Sequence, residues 1–255
     1  MARQARQYSS TGFYHVVFRG VNRCHIFEES DDYNKMIDLL TRVIEELNME
    51  IHAYCLMSNH AHLLIHEQST ADIVTAMRKV LGPYANWFNA KYDRCGALIA
   101  NRYKSKCVED DSYLLSLVRY IHLNPVEAGL VSFPHQYHWS SYSSYLSNES
   151  SMTTIGFVLS LFPNDKEGGL EGFMQFHNLD QLEDHSMQDK VRRTPKELLD
   201  AIVAMTDDAG THCLPGLPKL ERDAILSSLR DQGFSIRQIE RATGISRGII
   251  AKARG

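Results

Sequence analysis

The sequence of 255 residues predicts an α+β fold followed by a small all-α region. Three observations predict this class. Strand-like runs of β-branched and aromatic residues alternate with helical stripes up to about residue 125. A serine-rich, acidic stretch then interrupts the pattern, and only helical periodicity returns beyond residue 190. Apolar residues make up 44% of the chain and charged residues 23%, which excludes a largely disordered protein.

The first two predicted elements are a strand and a helix. Residues 12–19 (GFYHVVFR) have the composition of a strand, and Gly20 ends it. A helix is predicted up to Leu47, because apolar residues recur three and four positions apart. Ser30 or Asp31 is placed to cap the N-terminus of this helix.

The next elements complete the sheet. The pattern predicts strands over 51–57 and 60–65, a helix over 73–88, a strand over 103–108 and a helix from Asp110 to about Leu123. Pro83 can kink the second helix, and Pro125 is expected to end the third. The order β-α-β-β-α-β-α predicts a ferredoxin-like arrangement with one appended helix. Helices on one face of the antiparallel sheet would leave its other face free for a site.

Composition divides the chain into three parts. Residues 1–145 are the predicted sheet domain, residues 146–190 an acidic linker with one short helix near 157–162, and residues 191–255 a helical C-terminal domain. In the last part, residues 234–253 (FSIRQIERATGISRGIIAKA) have the pattern of a helix-turn-helix.

The helix-turn-helix pattern depends on two serines and a glycine. Ser235 and Ser246 can cap the two helices, and Gly244 permits the tight turn between them. The second helix would present basic side chains to phosphates, namely Arg247, Lys252 and Arg254. An ordinary pair of helices packed on the first domain is the alternative interpretation.

Charge is unevenly distributed along the chain, although the net charge is only −4. Residues 1–27 contain four arginines and no acid, residues 73–107 seven basic residues against one acid, and residues 219–255 eight against four. Residues 145–190 contain eight acids against two lysines. Separate basic blocks predict a partner that is a polyanion, with chance clustering on solvated faces as the alternative.

Two further features exclude other classes of protein. No run of 18 apolar residues is present, which argues against a membrane-spanning helix and a membrane partner, and the N-terminus lacks the apolar core of a secretory signal. The five cysteines are odd in number and lack a C-x-x-C pair, so neither a disulfide framework nor a cysteine zinc site is indicated. The expected location is a reducing cytoplasm.

The residues that indicate chemistry begin with His60 and His62. Two residues apart on a strand, they point to the same face, about 6.6 Å apart along the chain, and could share one metal ion. Tyr120 and Asn124 are four apart on the third helix and share a face there. Two imidazoles, a phenol and a carboxamide together suit cleavage of a phosphodiester by a tyrosine nucleophile, with Mg²⁺ or Mn²⁺ as the cofactor.

Four stretches in the first domain resemble the single-tyrosine HUH transposases, and most closely the REP-associated tyrosine transposases. They are GFYHVVFRGVNR, LMSNHAHLLI, NRYKSKCVED and YIHLNPVEAGLV. The resemblance covers roughly residues 10–145. It implies that His60 and His62 are metal ligands, that Asn124 is a third ligand and that Tyr120 is the nucleophile. It also implies cutting of single-stranded or hairpin DNA with a 5′-phosphotyrosine intermediate, by a monomer or a homodimer.

Several assignments stay open at this stage. Tyr113 lies seven residues before Tyr120 on the same helical face and is an alternative nucleophile. His66 lies on the strand face of His60 and could touch DNA, while Trp87 and Phe88 have the spacing of core residues. The candidate DNA-binding residues are Arg19, Asn22, Arg23, Arg102, Lys104, Lys106, Arg247 and Lys252.

The sequence therefore predicts a metal-dependent DNA endonuclease and strand transferase. The alternative from another class is a DNA-binding regulator that is not catalytic and keeps the transposase fold. A replication initiator or relaxase would share the chemistry, but the larger architecture of those proteins is not evident in this sequence.

Overall fold

A computed structural model describes residues 8–67, 73–147, 152–163, 169–179, 185, 195–206, 214–232, 234 and 236–253 of the chain. The predicted cap Ser235 and the basic residue Arg254 lie outside these residues, as do the arginines before Tyr8. Contacts divide the chain into two compact units, residues 1–186 and 187–255. Among the described residues, no helix is both long and apolar enough to cross a membrane.

The first unit is built on four antiparallel strands. They are β1 (Phe13–Arg19), β2 (Met49–Met57), β3 (His60–Glu67) and β4 (Lys104–Val108), in the order β2-β3-β1-β4. β1 pairs with β3 along its whole length, from Phe13 opposite His66 to Arg19 opposite His60. The fold class predicted from the sequence is confirmed, because this sheet alternates with helices in the expected order.

Two helices cover one face of the sheet. α1 (Ser30–Leu47) and α2 (Ile73–Lys91) bury a core with the strand residues that point toward them, among them Val16 and Leu63. α2 runs without interruption through Pro83. Phe88 is fully buried and Trp87 packs against the same core, so the core assignment of both residues is confirmed.

The other face of the sheet is not free, contrary to expectation. α3 (Asp111–Glu127) lies over it, together with α4 (Tyr142–Ser147), α5 (Gly156–Ser160) and α6 (Leu170–His177). Among its described residues, the predicted acidic linker therefore contains two helices besides the end of α4, where the sequence predicted one. Their apolar residues Val158 and Phe173 are completely buried in the core beneath α3, and burial of such side chains stabilises the fold by about 2 kcal/mol each.

Two predicted helix boundaries were wrong. α3 continues to Glu127 instead of ending near Leu123, because Pro125 removes only one backbone donor, and the amide of Ala128 still donates to the carbonyl of Asn124 at 3.0 Å. The N-cap of α1 is Glu29, not Ser30 or Asp31. The buried carboxylate of Asp32 accepts hydrogen bonds from the amides of Glu28 and Glu29, which fixes the start of the helix.

The second unit is helical throughout its described residues. It comprises α7 (Pro195–Met205), α8 (Lys219–Asp231), α9 (Ile236–Thr243) and α10 (Arg247–Lys252). Gly244 has a φ of 70° and turns the chain between α9 and α10, as the predicted helix-turn-helix requires. Ser246 occupies the N-cap of α10, but its side chain makes no capping hydrogen bond.

Candidate active site

His60 and His62 lie on the face of the sheet that α3 covers. Their ring centroids are 5.1 Å apart and their planes are nearly perpendicular. The strand pairing sets His62 between Val17 of β1 and Cys55 of β2, and sets His60 opposite Arg19. Because cross-strand partners point to the same face, an arginine and two imidazoles converge at this end of the sheet.

Hydrogen bonds orient both imidazoles. Nδ1 of His60 lies 2.6 Å from Oδ1 of Asn59, so Nδ1 carries the proton and donates it. Nδ1 of His62 lies 3.0 Å from Nε2 of His15, a buried residue of β1. When His62 donates in this bond, Nε2 of both His60 and His62 is left unprotonated, which is the state that binds a metal.

Burial keeps these imidazoles neutral. It is the main cause that lowers the pKa of His60 to about 4, and the positive charge of Arg19 lowers it further. The pKa of His62 is well below its ordinary value, because of burial and then the neighbouring His15 and His60. Burial likewise lowers the pKa of His15 to about 3. At neutral pH the three rings therefore offer lone pairs rather than positive charge.

α3 brings Tyr120 and Asn124 onto the histidine pair. The ring of Tyr120 packs edge-to-face against His62, with centroids 5.4 Å apart. One turn later, the side chain of Asn124 hydrogen-bonds to the imidazole of His60, and its amide nitrogen donates to the carbonyl of Tyr120 at 3.2 Å. Two pairs of residues that are far apart in the sequence thus form one cluster. Only 6% of the surface of Tyr120 is exposed.

Tyr113 occupies a different environment on the same helix. Its amide caps the start of α3 by donating to Asp110 at 2.7 Å, and the amino group of Lys106 lies 4.4 Å from its ring centroid. Its hydroxyl is buried and makes no hydrogen bond within the described part of the chain. Among the described ring contacts, Tyr120 reaches His62 and Tyr113 does not.

Sequence reasoning missed two residues of this cluster. His15 contacts His62. Its position on β1 could indicate this contact only once the pairing of β1 with β3 is known. His185 packs edge-to-face against both tyrosines, with centroid distances of 5.6 Å to Tyr120 and 4.8 Å to Tyr113. It follows Tyr120 by 65 residues in the acidic stretch, where no sequence pattern marked it.

The candidate DNA-binding residues separate into two groups. In the first unit, Lys104 lies opposite Val17, on the strand next to the one that pairs with the histidine strand. The loop after β1 is joined to the segment before β4, because the amide of Val21 donates to the carbonyl of Leu98. This arrangement gathers five candidates at one end of the sheet, namely Arg19, Asn22, Arg23, Arg102 and Lys104. In the second unit, Arg247 and Lys252 are exposed. Arg247 is paired with Glu240 at 2.6 Å.

The donor atoms around His60 fit a divalent cation. The half-buried imidazole of His60, the buried imidazole of His62 and one carboxamide offer nitrogen and oxygen ligands of the kind that Mg²⁺ or Mn²⁺ can accept. The sheet also carries a second group of metal-ligating side chains, Glu50, His52 and His66, at its opposite end. This second group was not expected from the sequence.

The fold and this cluster agree with a class of protein that moves DNA, the transposases. Residues 8–124 match the family described as "Transposase IS200 like", and this match includes both histidines and Tyr120.

One solved structure supports the same fold. The chain is similar to a structure described as "Structure of the REP associates tyrosine transposase bound to a REP hairpin", with 15% identity and a TM-score of 0.55. The alignment covers 76% of this chain and all of that one. A protein of Deinococcus radiodurans R1 described as a transposase aligns with 17% identity over 47% of this chain and 95% of that chain, with a TM-score of 0.34. No curated protein matches the sequence.

Proposed function

We propose that this protein is a metal-dependent endonuclease and strand transferase that cuts single-stranded DNA, at hairpins, through Tyr120. The observation that carries the proposal is the contact of the Tyr120 ring with His62 while Asn124 of the same helix binds His60. A nucleophile is thereby held beside a candidate metal site by a single turn of helix. The relative solved in complex with a REP hairpin supports a hairpin as the substrate.

The residues of the cluster have distinct roles in this proposal. The hydroxyl oxygen of Tyr120 attacks phosphorus and loses its proton, while the bond from phosphorus to the 3′ oxygen breaks and that oxygen takes up a proton. The products are a 5′-phosphotyrosine and a free 3′-hydroxyl. A 3′-hydroxyl then attacks the phosphotyrosine and releases Tyr120, so the strands are joined without ATP.

The histidines and Asn124 would hold the divalent cation, Mg²⁺ or Mn²⁺. When bound, that cation supplies positive charge for the scissile phosphate. Arg19 and Lys104, at the same end of the sheet, suit contacts to the flanking phosphates. His15 would keep the ring of His62 in the ligating orientation.

A covalent adduct on a denaturing gel tests the proposal. Labelled hairpin oligonucleotides from the DNA that flanks the gene are incubated with the protein and Mn²⁺ or Mg²⁺. We expect a protein–DNA adduct that requires the metal and is lost on addition of EDTA or in Tyr120→Phe. Tight metal-independent binding of the same hairpins without an adduct would contradict catalysis and support a DNA-binding regulator.

A further inference from the structure

Three metal-ligating side chains meet at the end of the sheet away from His60. The ligand atoms of Glu50, His52 and His66 all lie within 4.8 Å of one another. Oε2 of Glu50 is 3.2 Å from Nδ1 of His66 and 3.5 Å from Nε2 of His52. His66 follows His62 by four strand positions, or roughly 13 Å along β3, so this cluster is separate from the candidate active site.

A β-bulge lies next to the cluster. Glu50 and His66 are direct cross-strand partners, whereas the register of β2 shifts between Ile51 and Ala53. His52 is the extra residue of that shift, and its ring contacts Phe13 on the face that α3 covers. Glu50, His52 and His66 thus meet at one place on the sheet.

The orientation of His52 is the observation that points to a ligand. This residue is 1% exposed, and its Nδ1 donates to the carbonyl of Thr154 at 2.8 Å. In the neutral ring its Nε2 carries no proton; this atom faces a carboxylate oxygen at 3.5 Å and makes no normal hydrogen bond within the described residues. A buried lone pair that faces an anion is unfavourable unless a positive charge lies between them.

We propose that Glu50, His52 and His66 form a second metal site. It binds Zn²⁺ or another first-row transition-metal ion that readily takes imidazole ligands. Two imidazoles and one carboxylate are a common ligand set for zinc with a fourth position left open. Mg²⁺ prefers oxygen ligands, so this ligand set favours a transition-metal ion over Mg²⁺.

The surroundings of the cluster indicate a structural role for the ion. Phe13 stacks on His66 with centroids 4.2 Å apart and contacts Phe157 of α5 at 5.2 Å, so an apolar wall encloses one side. Through His52 and the carbonyl of Thr154, the ion would join β2 and β3 to the segment that leads into α5. The ion would therefore stabilise the packing of α5 on the sheet.

Cobalt binding tests the proposal apart from the proposed catalytic activity. In full-length protein with His60→Ala and His62→Ala, which removes the first histidine pair, Co²⁺ is titrated and its visible absorption recorded. We expect one equivalent of Co²⁺ with the intense absorption of a four-coordinate site, displaced by Zn²⁺ and not by Mg²⁺, and a rise in Tm with Zn²⁺. If no Co²⁺ binds, a water or a proton rather than a metal ion lies beside Nε2 of His52, and the proposal is overturned.

Variants locate the bound ion. In the same background, Glu50→Gln and His66→Gln change half-exposed side chains and are expected to weaken binding by about tenfold or more. The matched control is His25→Ala, since His25 and Glu28 form an exposed pair at 3.3 Å that lacks a second histidine. Binding that survives both glutamine variants, or that falls equally in the control, would contradict the site.

Discussion

At the scale of single residues, His15 is the one that most needs an explanation, because its ring is completely buried beside the candidate metal ligands. Its Nε2 contacts Nδ1 of His62, and its own Nδ1 makes no hydrogen bond within the described residues. A buried polar atom of this kind costs stability, so its retention is best explained by the orientation it gives to His62. We infer a positioning role rather than direct contact with DNA.

Substitution of His15 tests that role. His15→Ala is expected to lower the rate of adduct formation by about tenfold and to raise the Mn²⁺ concentration needed for half-maximal rate. His15→Asn retains an acceptor for His62 and should recover part of the activity. The exposed His135→Ala is the control. A rate loss that is the same at all Mn²⁺ concentrations would contradict positioning through the metal ligand.

At the scale of elements, the sequence predicted most strands and helices but not how the later helices pack. Alternation in β3 was sufficient to place His60 and His62 on one face, and a four-residue spacing was sufficient for Tyr120 and Asn124. The role of His15 depends on the pairing of β1 with β3, which a pattern within one strand does not contain. The short helix expected near residues 157–162 is present as α5, whereas α6 was missed because polar and acidic residues separate its few buried side chains, such as Phe173.

The junction of α1 and α2 offers a test of the fold itself. Asp32 is fully buried, accepts two amides at the start of α1 and binds Lys91 at 2.8 Å and Tyr92 at 2.9 Å. Burial alone would raise its pKa, but the hydrogen bonds from Lys91 and the amides lower it on balance. Its contribution to stability is therefore complete above the ordinary pKa of an aspartate, near 3.9, and is lost as the pH falls through its lower folded value.

Urea unfolding measures that contribution. Asp32→Asn is expected to reduce the free energy of unfolding at pH 7 by about 2 kcal/mol, and the difference from the wild type should shrink as the pH falls below about 4. Asp31→Asn changes an exposed neighbour in the same helical turn and should have little effect. Equal losses in the two variants would contradict the role assigned to the buried carboxylate.

At the scale of the whole molecule, basic residues are concentrated where the candidate site lies, although the chain is acidic overall. Arg102 is exposed just before β4, and Lys104 lies on the face of the histidine pair. Lys79 belongs to the same basic block in the sequence, but it lies on α2, which packs on the other face, and is paired with Glu46. The fold therefore separates lysines and arginines that the sequence groups together.

Salt dependence of DNA binding tests this separation. The double variant Arg102→Ala with Lys104→Ala is expected to weaken binding of hairpin DNA and to reduce the slope of log Kd against log salt by about 0.7 for each lost phosphate contact on a single strand. Lys79→Ala is expected to leave both quantities unchanged. An equal loss in Lys79→Ala would indicate non-specific attraction and contradict a localised DNA surface.

We infer that Tyr120, not Tyr113, forms the bond to DNA. Trypsin separates the two residues, because it cuts after Lys106 and after Arg119, which directly precedes Tyr120. The covalent adduct is digested with nuclease and then with trypsin, and the modified peptide is sequenced by mass spectrometry. We predict a nucleotide on Tyr120 and an unmodified peptide for residues 107–119. A nucleotide on Tyr113 would contradict this assignment of the active site.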